Sequence, residues 1–151
     1  MIDKRYLAGV IDTDGSLSIT KRHISRKNPC YAGMLQLTWI LNEDTLKFMD
    51  QLVEKYGGSY FIEKKVRKDR LGKKPIVKYC AMTKALISIL KDIEPHLRLK
   101  KQQSKNIRNL AKIKNKSLPF KPRLPKFSKK MEELYGYNKE LNGGTYVPQS
   151  K

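Results

Sequence analysis

Leu7-Ala8-Gly9-Val10-Ile11-Asp12-Thr13-Asp14-Gly15-Ser16 is the stretch around which the chain is organised. It starts with small and apolar residues and closes on two acids and a glycine. Asp3 is placed to cap a helix, and nothing from Lys4 to Thr13 interrupts one. Gly15 predicts the stop. Asp12 and Asp14 then fall in the last turn, where unpaired carbonyls make the helix end partly negative. A carboxylate there is either part of a solvated Asp-Gly turn or is held by a cation or a metal. The rest of the chain decides between these readings.

The 151 residues suit one domain with one core, and at 39% hydrophobic they can fill it. The net charge of +19 and a pI near 10.0 call for a polyanionic partner, nucleic acid first and an acidic membrane surface second. No apolar run is long enough to span a bilayer, and Asp3, Asp12 and Asp14 interrupt any signal peptide. The expectation is an intracellular, non-secreted protein. Cys30, Cys80, His23 and His96 give neither a disulfide framework nor zinc spacing, so any metal is a hard cation held by carboxylates. Thirteen Lys or Arg and no acid lie between Pro95 and Met131, and eight basic residues against two acids between Glu63 and Lys78. Gly15 to Asn42 also lacks acids. Three acid-poor segments in one small domain predict a contiguous basic surface.

Ser16 to Ser25 alternates as a strand, and Tyr31 to Leu41 alternates more clearly. Leu35, Leu37, Trp39 and Leu41 share one face, and Met34, Gln36, Thr38 and Ile40 the other. Asn42 caps a helix that carries Leu46, Met49, Leu52, Val53 and Tyr56 on one stripe and stops at Gly57-Gly58. Strands follow at Ser59 to Val66 and Ile76 to Met82. Thr83 caps a further helix that Pro95 ends, another runs from about Arg98 to Asn115, and a last one from Ser128 to Leu141. Trp39, Phe48 and Tyr56 read as core. The order α-β-β-α-β-β-α predicts an α+β fold: one four-stranded antiparallel sheet with helices on one face and helical additions at the C-terminus. Residues 1–115 form the core. Residues 116–151, a basic Pro-rich linker, short helix and tail, belong to the same domain.

The uncovered sheet face is expected to carry Ser18, Thr20, Arg22, Gln36, Thr38, Tyr60 and Lys64. Arg26, Lys27, Arg67 and Lys78 lie at its rims. The last strand alternates weakly, with Lys78 and Tyr79 on opposite faces. Hydrogen-bonding groups at strand spacing with basic rims fit a nucleic-acid groove, where side chains meet base edges and cations hold phosphates.

Leu7 to Gly15 resembles the LAGLIDADG motif of the homing endonucleases that bear its name; only Val10 and Thr13 differ from the nine-residue pattern. The predicted element order is similar to the core fold of that family. Ile93-Glu94-Pro95-His96-Leu97-Arg98-Leu99-Lys100-Lys101-Gln102-Gln103 resembles the segment that carries a lysine at the active centre of its single-motif members. The similarity covers roughly Arg5 to Ile113.

The resemblance implies a site-specific double-strand DNA endonuclease, intron-encoded and free-standing, acting on a long pseudo-palindromic site wherever its target genome lies. It implies Mg2+, with Mn2+ as a substitute, held by Asp14 and Gly15. It implies catalytic roles for Asp14 and Lys100, with Gln102 as an accessory and Asp12 supporting the turn. Lys100 as one more phosphate contact is the plainer reading of that residue. One motif per chain implies a homodimer packed through Leu7, Gly9, Val10 and Thr13, where the Thr13 hydroxyl can bond to a carbonyl of its own helix. An RNA-binding maturase using the same sheet is the alternative, with RNA in place of double-stranded DNA as partner. No membrane is expected among the partners.

Overall fold

The computed structural model describes residues 2–22, 29–64, 74–116 and 125–145. Helix α1, Lys4–Thr13, starts where the Asp3 carboxylate accepts the Tyr6 N–H at 2.8 Å. It buries Leu7, Ala8 and Ile11 completely. Strands β1, Ser16–Arg22, and β2, Cys30–Ile40, form an antiparallel hairpin. Helix α2, Glu43–Tyr56, opens with a reciprocal cap in which Asn42 and Thr45 each accept the other's backbone N–H. Glu43 and Asp44 occupy its first turn, where the helix dipole favours acids. Gly57 and Gly58, at φ of 81° and 87°, turn the chain into β3, Ser59–Glu63. Strand β4, Ile76–Met82, leads into α3, Thr83–Ile93, and a 3-10 turn over Glu94–His96.

The cap of α3 lies one residue earlier than expected. Met82 is the N-cap, no side chain caps the helix there, and Thr83 is its first residue at φ 49°. Helices α4, Lys101–Lys116, and α5, Pro125–Leu141, complete the chain. Among the described residues no helix is long and apolar enough to cross a membrane.

The sheet is antiparallel throughout in the order β1-β2-β4-β3. Its register fixes which side chains share a face. Leu17, Ile19, Leu35, Leu37, Val77, Tyr79 and Ala81 face the helices and are at most 5% exposed. They pack with Leu7 and Ile11 of α1, Met49 and Leu52 of α2, Leu86, Ile89 and Leu90 of α3, Ile107 of α4 and Met131 of α5. α5 is tied to β1 by the Lys21–Glu132 ion pair at 2.8 Å, and to β2 by a hydrogen bond that the Tyr31 hydroxyl donates to Glu132. β1 is described to Arg22 and β3 runs to Glu63, with Lys64 outside it; the expected strand ends at Ser25 and Val66 lie outside the described residues.

Candidate active site and nucleic-acid interface

The two acids of the opening stretch have separate environments. Asp12 is 8% exposed, and its carboxylate accepts the backbone N–H groups of Arg98 at 2.7 Å and Lys100 at 2.9 Å. Lys100 immediately precedes α4, so Asp12 also faces the positive end of that helix. The Lys100 ammonium reaches back to the carbonyls of Ile11 at 2.8 Å and Asp12 at 2.5 Å. Two residues 88 positions apart thus clasp each other. Burial pulls the Lys100 ammonium below the usual lysine range, against the opposing pull of the Asp12 and Asp14 carboxylates. The cation that this helix end needs is therefore Lys100, and the helix end alone does not call for a metal.

Asp14 caps α1 and is exposed. Its Oδ2 accepts the indole N–H of Trp39 at 3.4 Å, and its Oδ1 has no described partner. Trp39 was expected in the core. It does pack against the core, half-buried, with its ring 5.2 Å from that of Phe48 between centroids and its N–H at the site. Nothing in the alternation of β2 marks this, because Trp39 shares the phase of Leu35 and Leu37.

Gly15 ends α1 by close approach rather than by a left-handed turn. A Cβ there would lie 2.8 Å from both Cα and O of Ile11, and its φ is not positive. Among the described residues no three of His, Cys, Asp and Glu gather in one place. Asp14 is thus a single hard donor with an open oxygen, which fits a divalent cation as one ligand of several. Gln102, exposed on α4, donates instead to Asn106 at 3.1 Å.

The outer face of α1 corrects one assignment. Leu7 is fully buried in its own core and cannot line a seam between chains. Tyr6, Gly9 and Thr13, at i, i+3 and i+7, are exposed on the opposite side, and Val10, at i+4, lies half-buried at the edge of that face against the core. Tyr6 is 58% exposed, and a Cβ on Gly9 would meet nothing within 4 Å. The Thr13 hydroxyl donates to the carbonyls of Gly9 at 3.0 Å and Val10 at 3.3 Å, which satisfies it within its own helix. Tyr6 was not singled out in the sequence, although its spacing from Gly9 and Thr13 carries the signal.

On the uncovered sheet face the register aligns Ser16, Gln36, Cys80 and Ser59 in one row and Thr38, Lys78 and Phe61 in the next. Ser18, Thr20 and Arg22 share this face. Thr20 donates to the Ala32 carbonyl at 3.2 Å, and Arg22 lies 4.0 Å from the Met82 sulfur. Lys78 is on the uncovered face and Tyr79 in the core. The Lys78 ammonium pairs with Glu63 at 2.8 Å and sits 5.6 Å from the Phe61 ring centroid.

Tyr60 does not belong to this face. It pairs with Tyr79 on the helix side and donates to Asp50 at 2.7 Å, a bond that raises its phenol above the ordinary range. Phe61, 51% exposed, takes the outward position, as does Ile40 at 53%. Lys64 is exposed just beyond β3. Arg26, Lys27 and Arg67 lie outside the described residues.

No protein-family model and no curated protein matches the sequence. Solved structures do match the fold. The LAGLIDADG homing endonuclease I-SmaMI, bound to cleaved DNA, superposes with a TM-score of 0.61 at 21% identity over 89% of this chain. The chain has the LAGLIDADG fold. It spans only 43% of the I-SmaMI chain. Other proteins with this fold match nearly end to end. The archaeal intron-encoded homing endonuclease I-Vdi141I, complexed with DNA, gives a TM-score of 0.65 at 16% identity, covering 98% of this chain and 87% of its own. I-CvuI, in complex with its target in 2 mM Ca, gives 0.63 at 17%, covering 98% and 85%.

Proposed function

We propose that the chain is a homodimeric, site-specific DNA endonuclease that hydrolyses phosphodiester bonds with Mg2+, or Mn2+ in its place. One observation carries the reading: the open face formed by Tyr6, Gly9, Val10 and Thr13 leads directly to Asp14 at the end of the same helix. Packing two copies of that face brings two carboxylates to one centre. The uncovered sheet face supplies the DNA surface, and I-SmaMI, I-Vdi141I and I-CvuI carry DNA on the same fold. A two-fold dimer matches a roughly palindromic site.

Mg2+ bound at Asp14 would supply activation of the attacking water and neutralisation of charge at the scissile phosphate. The protein's own residues set the stage. Asp14 holds a hard oxygen at the dimer seam. Asp12 fixes the start of α4 by taking two backbone N–H groups, and so fixes where Lys100 emerges. Lys100 brings a positive charge to the end of α1, where it stabilises negative charge developing on phosphate oxygens. Gly15 lets the backbone turn tightly enough to present Asp14. Ser18, Thr20, Arg22, Gln36, Thr38 and Lys78 contact the DNA from the sheet.

The test is Asp14→Asn. Duplexes bound by the protein are first selected from a randomised pool, and cleavage and affinity are then measured on the selected site. The variant is expected to lose cleavage by at least about a hundredfold while binding within about threefold of the parent. Retained cutting would overturn the assignment.

A further inference from the structure

Trp39 contacts the one carboxylate on which the proposed chemistry depends, and nothing in that chemistry uses it. It lies at the end of β2 on the helix side. Its ring rests on Phe48, 5.2 Å between centroids at 48°, and Phe48 in turn meets Tyr6 edge-on at 5.8 Å. This packing aims the indole edge at Asp14, with Nε1 3.4 Å from Oδ2. An indole N–H only donates, so it can neither bind a cation nor move a proton from water.

We propose that Trp39 is the positioning residue of Asp14. Its N–H holds Oδ2, fixes the rotation of the carboxylate, and leaves Oδ1 for a divalent cation. This rests on the reading of Asp14 as a metal ligand. An exposed carboxylate at a helix end samples several rotamers, and each must be given up when a cation binds. A hydrogen bond from a packed ring removes part of that cost in advance. Partners of this kind behind a metal ligand typically set affinity by tenfold or more.

Trp39 is the only tryptophan in the chain, so the group that would position the ligand also reports on it. Filling the site with Ca2+ changes the electrostatic field at the indole, and under excitation at the red edge, where the eight tyrosines do not absorb, the emission is that of this residue.

The experiment titrates Ca2+ into the full-length protein bound to its selected DNA. Trp39 fluorescence is followed for the parent and Asp14→Asn, and calorimetry for these two and Trp39→Phe. The parent is expected to show a saturable change in emission that Asp14→Asn lacks. Trp39→Phe keeps the ring on Phe48 and loses the N–H; it is expected to bind Ca2+ about tenfold more weakly with an unchanged melting temperature. Parental Ca2+ affinity in Trp39→Phe, with none in Asp14→Asn, would overturn the role of Trp39 and leave Asp14 standing. Parental affinity in Asp14→Asn would overturn the ligand assignment itself. Should Trp39→Phe fail to fold, growth on the benzothienyl isostere of tryptophan replaces this single residue without loss of shape, and the same comparison decides.

Discussion

Asp12 and Lys100 hold each other through the backbone as well as through their charges. The carboxylate takes two N–H groups that would otherwise be orphaned before the first turn of α4, and the ammonium takes the Ile11 and Asp12 carbonyls at the last turn of α1, the first of which also accepts the Gly15 N–H. The clasp removes two helix-end deficits with two side chains. Asp12→Asn keeps the shape but offers one acceptor and one donor to a pair of donors. It is expected to destabilise the fold by about 2–3 kcal/mol, read from urea unfolding, since a buried donor left unpaired costs about that much. A loss below about 0.5 kcal/mol would mean the clasp contributes little. The division between a supporting Asp12 and a presented Asp14 is legible in the sequence, because residues two apart on a helix point apart. Trp39 is not legible: its phase in β2 is that of a core residue, and only the tertiary position of α1 brings a carboxylate to its edge.

At the scale of elements, the caps of α1 and α2 and the stop of α2 are readable because their chemistry is local, whereas Thr83 does not cap α3. Asp3, the Asn42 cap and Gly57-Gly58 each act within a few residues of themselves. The phase of β3 is not readable, since Tyr60, Phe61 and Ile62 are all apolar or aromatic and show no alternation. Only pairing with β4 turns Tyr60 toward the helices and Phe61 outward. The burial of Leu7 escapes the sequence pattern for a related reason. It lies three residues before Val10, and an i, i+3 pair can straddle the boundary between the two faces of a helix. How α4 meets the sheet is equally non-local. Gly33 in β2 lies under α4, where a Cβ would come within 2.6 Å of Ile107 Cγ2 and 3.1 Å of Leu86 Cδ2. Gly33→Ala should therefore lift α4 from β2 and cost about 1–3 kcal/mol in chemical denaturation, the usual penalty for overpacking. An unchanged midpoint would show that Ile107 and Leu86 give way freely.

For the whole molecule, two buried phenols set an alkaline limit. Burial pushes Tyr79 up to about 12, and its hydroxyl donates to the Gly57 carbonyl at 2.6 Å. Burial, followed by the hydrogen bond to Asp92, pushes Tyr56 up to about 12 as well. Both values lie above the unfolded value near 10, so the folded state holds these protons longer. Their contribution to stability is complete below pH 10 and is lost as pH rises from about 10 to 12. Unfolding followed by circular dichroism should coincide in that window with the last part of the tyrosinate absorbance rise. Complete tyrosinate formation in a chain that stays folded would contradict it.

α5 has a consequence for solubility in the crowded company of other chains. β1 is an outer strand, and an outer strand offers its free carbonyls and N–H groups to any extended peptide that drifts by. The Leu17 carbonyl is already taken twice, by the side-chain amides of Asn138 at 3.3 Å and Asn142 at 2.9 Å. These amides mimic a neighbouring strand at that point without being one. The C-terminal end of α5 thus blocks strand addition at this point of the β1 margin, while the broad uncovered face stays open.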